Sequence, residues 1–130
     1  HTFNHLNGWK TTADEYATNI SLCDSLISNL TSEASNKKSK IFRPPHGKIK
    51  PKQANKVLKQ GYKIIMWDVL SADFDQRISA KKCLKNVISN IKPGSIIVFH
   101  DSEKAFKNLE YTLPKVLDYL DENNFIYDTI

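Results

Sequence analysis

Short apolar runs and amphipathic segments take turns along this chain from end to end. Thr12, with Glu15 three positions on, reads as a capping box, and Tyr16, Ile20, Cys23, Ile27 and Leu30 follow at helical steps. The stretch from Ser32 to Lys40 is polar and without period, and the apolar pair Ile41 and Phe42 leads into Arg43-Pro44-Pro45-His46-Gly47, where two consecutive prolines exclude helix. Pro51 opens a second helix carrying Ala54, Val57 and Leu58, which Gly61 can end in a left-handed cap. Tyr62 to Trp67 predicts a strand, near-continuously apolar and so buried on both faces as in a parallel sheet. Ser79 caps a helix with the face Cys83, Val87, Ile88 and Ile91, and Lys92-Pro93-Gly94 turns the chain into a strand over Ser95 to Phe99. Another helix carries Leu113, Val116, Leu117 and Leu120, and Phe125 to Tyr127 reads as a last strand.

Such alternation predicts an α/β domain with a parallel sheet or barrel, in which functional groups gather beyond the C-terminal ends of the strands. Arg43, Asp68, Asp73, His100 and Asp101 all fall at such ends. At 130 residues, 40% of them hydrophobic, the chain is long enough for one core that buries roughly two-thirds of its unfolded surface. Cys23 and Cys83 then need not be staples, and both lie on apolar helix faces; Trp9 and Trp67 read as packing residues as well. The net charge of +5 admits anionic partners, but lysines such as Lys37, Lys38 and Lys40 are not interleaved with aromatics, so nucleic acid is not the expected partner. The longest apolar runs, Ile64 to Trp67 and Ile96 to Phe99, are far short of the ~20 residues a membrane helix needs. No secretion signal is visible in the chain as it stands.

Among residues that carry chemistry, His1 and His5 stand four apart, which on one helical turn puts both imidazoles on the same face at a spacing suited to one zinc ion. The plain alternative is that His1 is what a tag or a cleavage leaves and His5 a surface residue. His100-Asp101 follows the strand Ile96-Ile97-Val98-Phe99, and a titratable pair at the mouth of a parallel sheet is poorly explained by packing. His100 is suited to general acid or base work, with Asp73 from the preceding loop to orient it, although a lone histidine here can also be structural. Arg43 ahead of the rigid diproline can pair with a carboxylate while the following amides form an oxyanion site, or the segment is a surface turn. Asp68, Asp73, Asp75 and Arg77 can likewise be no more than a polar loop.

In order, these segments resemble the polysaccharide deacetylase family, the carbohydrate esterases with a NodB homology domain. His1-Thr2-Phe3-Asn4-His5 is similar to the family's His-Thr/Ser-x-x-His metal motif, and Arg43-Pro44-Pro45-His46-Gly47 to its Arg-Pro-Pro-Tyr-Gly motif. Trp67 to Phe74 resembles the loop that usually ends Asp-Trp, and Ile97-Val98-Phe99-His100-Asp101 resembles the closing Leu-x-His-Asp motif. The resemblance implies a distorted (β/α) barrel and metal-assisted hydrolysis of N-acetyl groups on an amino-sugar polymer of chitooligosaccharide or peptidoglycan type. It implies zinc, or another divalent transition metal, on His1 and His5, and an oxyanion held by zinc and the backbone N–H near His46. It also implies His100 as the general acid tuned by Asp73, and Arg43 orienting the catalytic base. Phe74 and Val98 are placed to line the acetyl pocket, with Asp101 also on the substrate side.

The family's Thr-Phe-Asp-Asp segment, which carries the base and a third ligand, belongs before the histidine motif, so residues 1–130 are expected to be the C-terminal portion of such a domain. His46 stands where Tyr is usual, Leu70 where Asp is common and Phe74 where Trp is. The alternative function is a catalytically inactive, glycan-binding module of the same fold. Family members often act at the cell envelope or outside the cell.

Overall fold

The computed structural model describes residues 1–30 and 40–130; the polar stretch read between Ser32 and Lys40, with Lys37 and Lys38, lies outside the described residues except for Lys40. They gather into two units, His1–Met66 and Trp67–Ile130.

In the first unit Thr12 Oγ1 accepts the Glu15 amide, and helix α1 spans Ala13–Leu30. Strands β1 (Ile41–Phe42) and β2 (Lys63–Ile64) pair in parallel, Ile41 opposite Lys63 and Phe42 opposite Ile64. Parallel neighbours need a crossover, and helix α2 (Pro51–Lys59) supplies it. Pro51 opens α2, and Gly61, at φ +84°, closes it while the Tyr62 amide returns to the Val57 carbonyl, as expected of a left-handed cap. Tyr16, Ile20, Phe42, Val57 and Tyr62 form the core, with Phe42 edge-on to Tyr16 at 6.1 Å and to Tyr62 at 6.3 Å between centroids.

A polar knot flanks this core. Gln53 is buried; its Nε2 donates to the Gly8 and Thr11 carbonyls at 2.9 and 3.1 Å, and its Oε1 accepts the Lys50 amide at 2.8 Å. Gly8 lies in a 3-10 turn, Gly8–Lys10, so close to the Lys48 carbonyl that a Cβ would collide with it.

In the second unit strands β3 (Val69–Leu70) and β4 (Ile97–Val98) also pair in parallel, Val69 opposite Ile97 and Leu70 opposite Val98. Helix α3 (Ala80–Ile88) crosses between them, with Ser79 Oγ accepting the Lys82 amide as its cap. Helix α4 (Glu103–Glu122) follows β4. Val69, Val87, Val116 and Leu120 form this unit's core, and Leu84, Ile97 and Phe99 pack on it. Cys83 is wholly buried, as the apolar face of α3 implied, and burial pushes its thiol pKa up.

Four expectations are corrected. The strand over Tyr62 to Trp67 is reduced to β2, with Lys63 and Met66 exposed and, among the described residues, only β1 paired with it; Val69 and Leu70 belong to a separate sheet in the second unit. Phe125 to Tyr127 is not a strand. The Phe125 amide is used to close α4 on the Leu120 carbonyl after Asn124 turns left-handed at φ 57°, and Ile126 stands 99% exposed. The stripe on α1 is buried only at Tyr16 and Ile20, because the core residues of this unit pack on its first half; Ile27 and Leu30 are exposed, as is Leu58 on α2. Trp9 is not a packing residue: it is 62% exposed, with Lys48 Nζ 5.0 Å from its ring centroid.

Candidate functional site

The first five residues do not form the helical turn that their spacing suggested. They are tied to α1 instead: the Phe3 amide donates to the Asn19 carbonyl at 3.1 Å, the Asn4 amide to Asn19 Oδ1 at 2.9 Å, and the Leu6 amide to the buried Thr2 hydroxyl at 2.7 Å. The His5 amide closes a turn on the Thr2 carbonyl at 3.2 Å, with His5 itself left-handed at φ 52°. That turn brings the two imidazoles together, 5.2 Å between centroids and 81° between planes. His1 Nδ1 lies on the Arg43 carbonyl. A carbonyl only accepts, so Nδ1 carries a proton, and in the neutral ring the lone pair is then on Nε2, the arrangement that orients a metal-binding histidine.

Arg43 opens the tight turn that the diproline imposes. Pro44 and Pro45 are buried; the Gly47 amide returns to the Pro44 carbonyl at 3.0 Å and the Lys48 amide to the Pro45 carbonyl at 3.1 Å. His46 is left-handed at φ 56° inside this turn, and its own amide takes no part in the closure. The Arg43 Nε donates to the Ile65 carbonyl at 3.3 Å, and among the described residues no carboxylate forms an ion pair with Arg43. His1, His5, Arg43 and His46 thus form one cluster in the first unit. The donor chemistry of His1 and His5 fits two positions of a zinc site; among the described residues no third His, Cys, Asp or Glu completes a group of three.

The second unit builds the other group. Beyond β3, Ala72 is left-handed at φ 60°, and Asp73 is wholly buried. Its Oδ2 accepts the His100 amide at 2.6 Å, and its Oδ1 accepts His100 Nδ1 at 2.7 Å and the Phe74 amide at 3.1 Å. The carboxylate thereby fixes the Nδ1–H tautomer of His100, whose side chain is 37% exposed, and Nε2 takes no part in the pair. The Phe74 ring meets the His100 ring edge-on at 4.8 Å. Val98 is buried at the end of β4, and Asp101 is exposed one residue past His100.

Other acidic residues of this region are committed to the loop itself. Asp68 Oδ2 accepts the Ile96 amide at 2.9 Å, tying the strand starts together. Asp75 is held by three bonds from Arg77, two from the guanidinium at 2.8 and 2.7 Å and one from the amide at 3.0 Å, which pull its carboxyl down to about 2.

Sequence reasoning missed the residues that hold Asp73. Ser71 Oγ donates to the Val98 carbonyl at 2.7 Å, Asn86 Nδ2 to the Ser71 carbonyl at 3.2 Å and Asn108 Nδ2 to the Asp73 carbonyl at 3.1 Å. Asn108 sits on the buried face of α4 between Ala105 and Thr112, and a polar residue on such a face must find a partner; that was the available signal.

No family model matches the chain. It is 32% identical over 102 residues to a peptidoglycan-N-acetylglucosamine deacetylase from Bacillus cereus, an alignment covering 78% of this chain and 35% of that protein. The chain therefore spans about a third of the length of that curated relative. A crystal structure of the peptidoglycan N-acetylglucosamine deacetylase Bc1960 superposes with a TM-score of 0.87 at 27% identity, over all of this chain and 59% of that one. A family 4 carbohydrate esterase from Streptomyces lividans, solved with acetate, gives 0.81 at 23% over 100% and 63% of the two chains. A family 4 pseudoenzyme from Bacillus anthracis gives 0.80 at 23% over 96% and 41%. In sequence and in fold, this chain matches the carbohydrate esterase family 4 polysaccharide deacetylases, with their NodB-type distorted barrel, which its four motifs resemble.

Proposed function

We propose that this chain is part of a metal-dependent polysaccharide N-deacetylase that hydrolyses N-acetyl groups on an amino-sugar polymer of peptidoglycan or chitooligosaccharide type, with residues 1–130 forming a portion of the deacetylase domain. The observation that carries the reading is the buried Asp73 carboxylate bonded to His100 Nδ1 at 2.7 Å, with Nε2 of the partly exposed imidazole outside that pair. The identity to a deacetylase of that substrate class supports it.

His1 and His5 would hold the metal, zinc or a similar divalent ion. Its chemistry, when bound, is polarisation of the amide carbonyl and activation of the attacking water. The His46 amide, outside the turn closure, donates to the oxygen that gains charge. His100 Nε2 delivers a proton to the sugar nitrogen as the carbon–nitrogen bond breaks, so acetate and a free amine leave. Asp73 holds the imidazole and stabilises it when charged, Arg43 orients the catalytic base, and Phe74 and Val98 bound the acetyl group with Asp101 beside the substrate. The natural-length protein should release acetate from N-acetylglucosamine oligomers or peptidoglycan, be silenced by chelation and be restored by Zn²⁺. His5→Ala and His100→Ala should each lower turnover on the order of 10²-fold or more. Unchanged turnover in both variants sinks this mechanism.

A second reading is an inactive glycan-binding module. A family 4 pseudoenzyme of similar fold is its precedent. This reading requires glycan binding that survives chelation with no acetate released.

A further inference from the structure

We propose that the His46 side chain is a positioning residue for His5, so that the Arg43–Gly47 turn seats both metal-binding imidazoles. The inference rests on the reading of His1 and His5 as metal ligands. It goes beyond that reading because the role already given to His46 needs only its backbone.

Three observations converge. The His46 ring stands edge-on to the His5 ring, 4.6 Å between centroids and 75° between planes, while His1 flanks His5 at 5.2 Å. His5 and His46 are both non-glycine residues in the left-handed region, at φ 52° and 56°. Such conformations persist only where the surroundings over-determine them, and they concentrate at working sites. The third observation is that the same turn reaches His1: the Arg43 carbonyl accepts its Nδ1 proton, and two buried prolines stiffen the backbone between that carbonyl and the His46 ring. One rigid five-residue segment therefore touches each imidazole by a different means, a hydrogen bond for His1 and a ring edge for His5. A ligand whose ring is already held loses less freedom on binding the metal, which is the usual effect of outer-shell contacts on affinity.

The test is metal affinity, independent of turnover. The natural-length protein, stripped with chelator, is titrated with Zn²⁺ against a competing chelator and with Co²⁺ by its visible absorption. His46→Gly removes the ring while tolerating positive φ, and His46→Tyr keeps a ring. His46→Gly should weaken Zn²⁺ binding about tenfold and alter the Co²⁺ bands, whereas His46→Tyr should stay within about a factor of three of the parent. Thermal unfolding of the stripped forms checks that the glycine variant folds; if it does not, His46→Asn, which also accepts left-handed backbone, takes its place. Equal affinity in the ring-deleted variant and the parent overturns the proposal. So does a loss in His46→Tyr as large as in His46→Gly, since that would make the imidazole nitrogen a ligand rather than a support. A parent that binds neither ion refutes the metal reading itself and this inference with it, an outcome distinct from the other two.

Discussion

Replacing Asp73 by alanine removes, in one step, the acceptor for the His100 amide, the Phe74 amide and the His100 ring. The ring is partly exposed and can turn to water at small cost. The two main-chain donors are the expensive part, at about 1–3 kcal/mol each when left unsatisfied. Loss of the carboxylate's own desolvation penalty offsets some of this, which leaves a destabilisation of about 2–4 kcal/mol. With a urea dependence of about 1–3 kcal/mol per molar, the unfolding midpoint of the natural-length protein should fall by about 1 M or more. Asp73→Asn separates structure from chemistry. Its oxygen can still serve one side, but an amide N–H turned to the His100 ring favours the wrong tautomer, so turnover should fall on the order of 10³-fold or more with a smaller loss of stability. ¹⁵N spectra should show the His100 proton on Nδ1 in the parent and on Nε2 in Asp73→Asn. A parent with the proton on Nε2, or an alanine variant within about 0.5 kcal/mol of the parent, would refute this account.

Gly8→Ala should cost about 1–3 kcal/mol by equilibrium denaturation, since its methyl meets the Lys48 carbonyl of the main chain as well as the bonded Oε1 of buried Gln53. Tyr16 is wholly buried, and its hydroxyl has no partner among the described residues; burial pushes its pKa up to about 12. The folded state therefore keeps a proton that the unfolded state releases above about pH 10, so stability is intact below pH 10 and declines towards pH 12, by about 1.4 kcal/mol per pH unit for this group. Tyr16→Phe should be neutral or slightly stabilising at pH 7 and flatten the decline measured between pH 10 and 12; an unchanged slope would show that Tyr16 does not contribute. Asn108→Ala should cost about 1–2 kcal/mol and be non-additive with Asp73→Ala, because both act on the same loop.

Helix starts were legible because their signals are local. Thr12, Pro51 and Ser79 stand at or beside helix starts, and Gly61 and Gly94 take the positive φ their turns need. The pairing of Asp73 with His100 was legible from the placement of both beyond strand ends, which parallel topology brings together. What could not be read depends on partners distant in sequence. Gln53 and Asn108 are buried polar residues whose satisfaction comes from carbonyls 45 and 35 positions away. The turn that joins His1 to His5 is set by Asn19 on α1, not by their spacing. The helix read from Leu113, Val116, Leu117 and Leu120 does form, although Pro114 lies inside it, where a proline costs about 3 kcal/mol; the burial of Val116 and Leu120 beyond the proline outweighs that local cost.

The β3–β4 ladder is only two residues long on each strand. Past its end, the Ser71 hydroxyl and then the Asp73 carboxylate carry on the bonding to β4, by way of the Val98 carbonyl and the His100 amide. Asp73 is thus a fastener of the fold as well as a partner of the imidazole, and under the proposed function only the second duty depends on hydrolysis. A lineage drifting out of catalysis could discard the His100 ring at little cost, while the aspartate, bonded to two main-chain amides, would be the last of the pair to go.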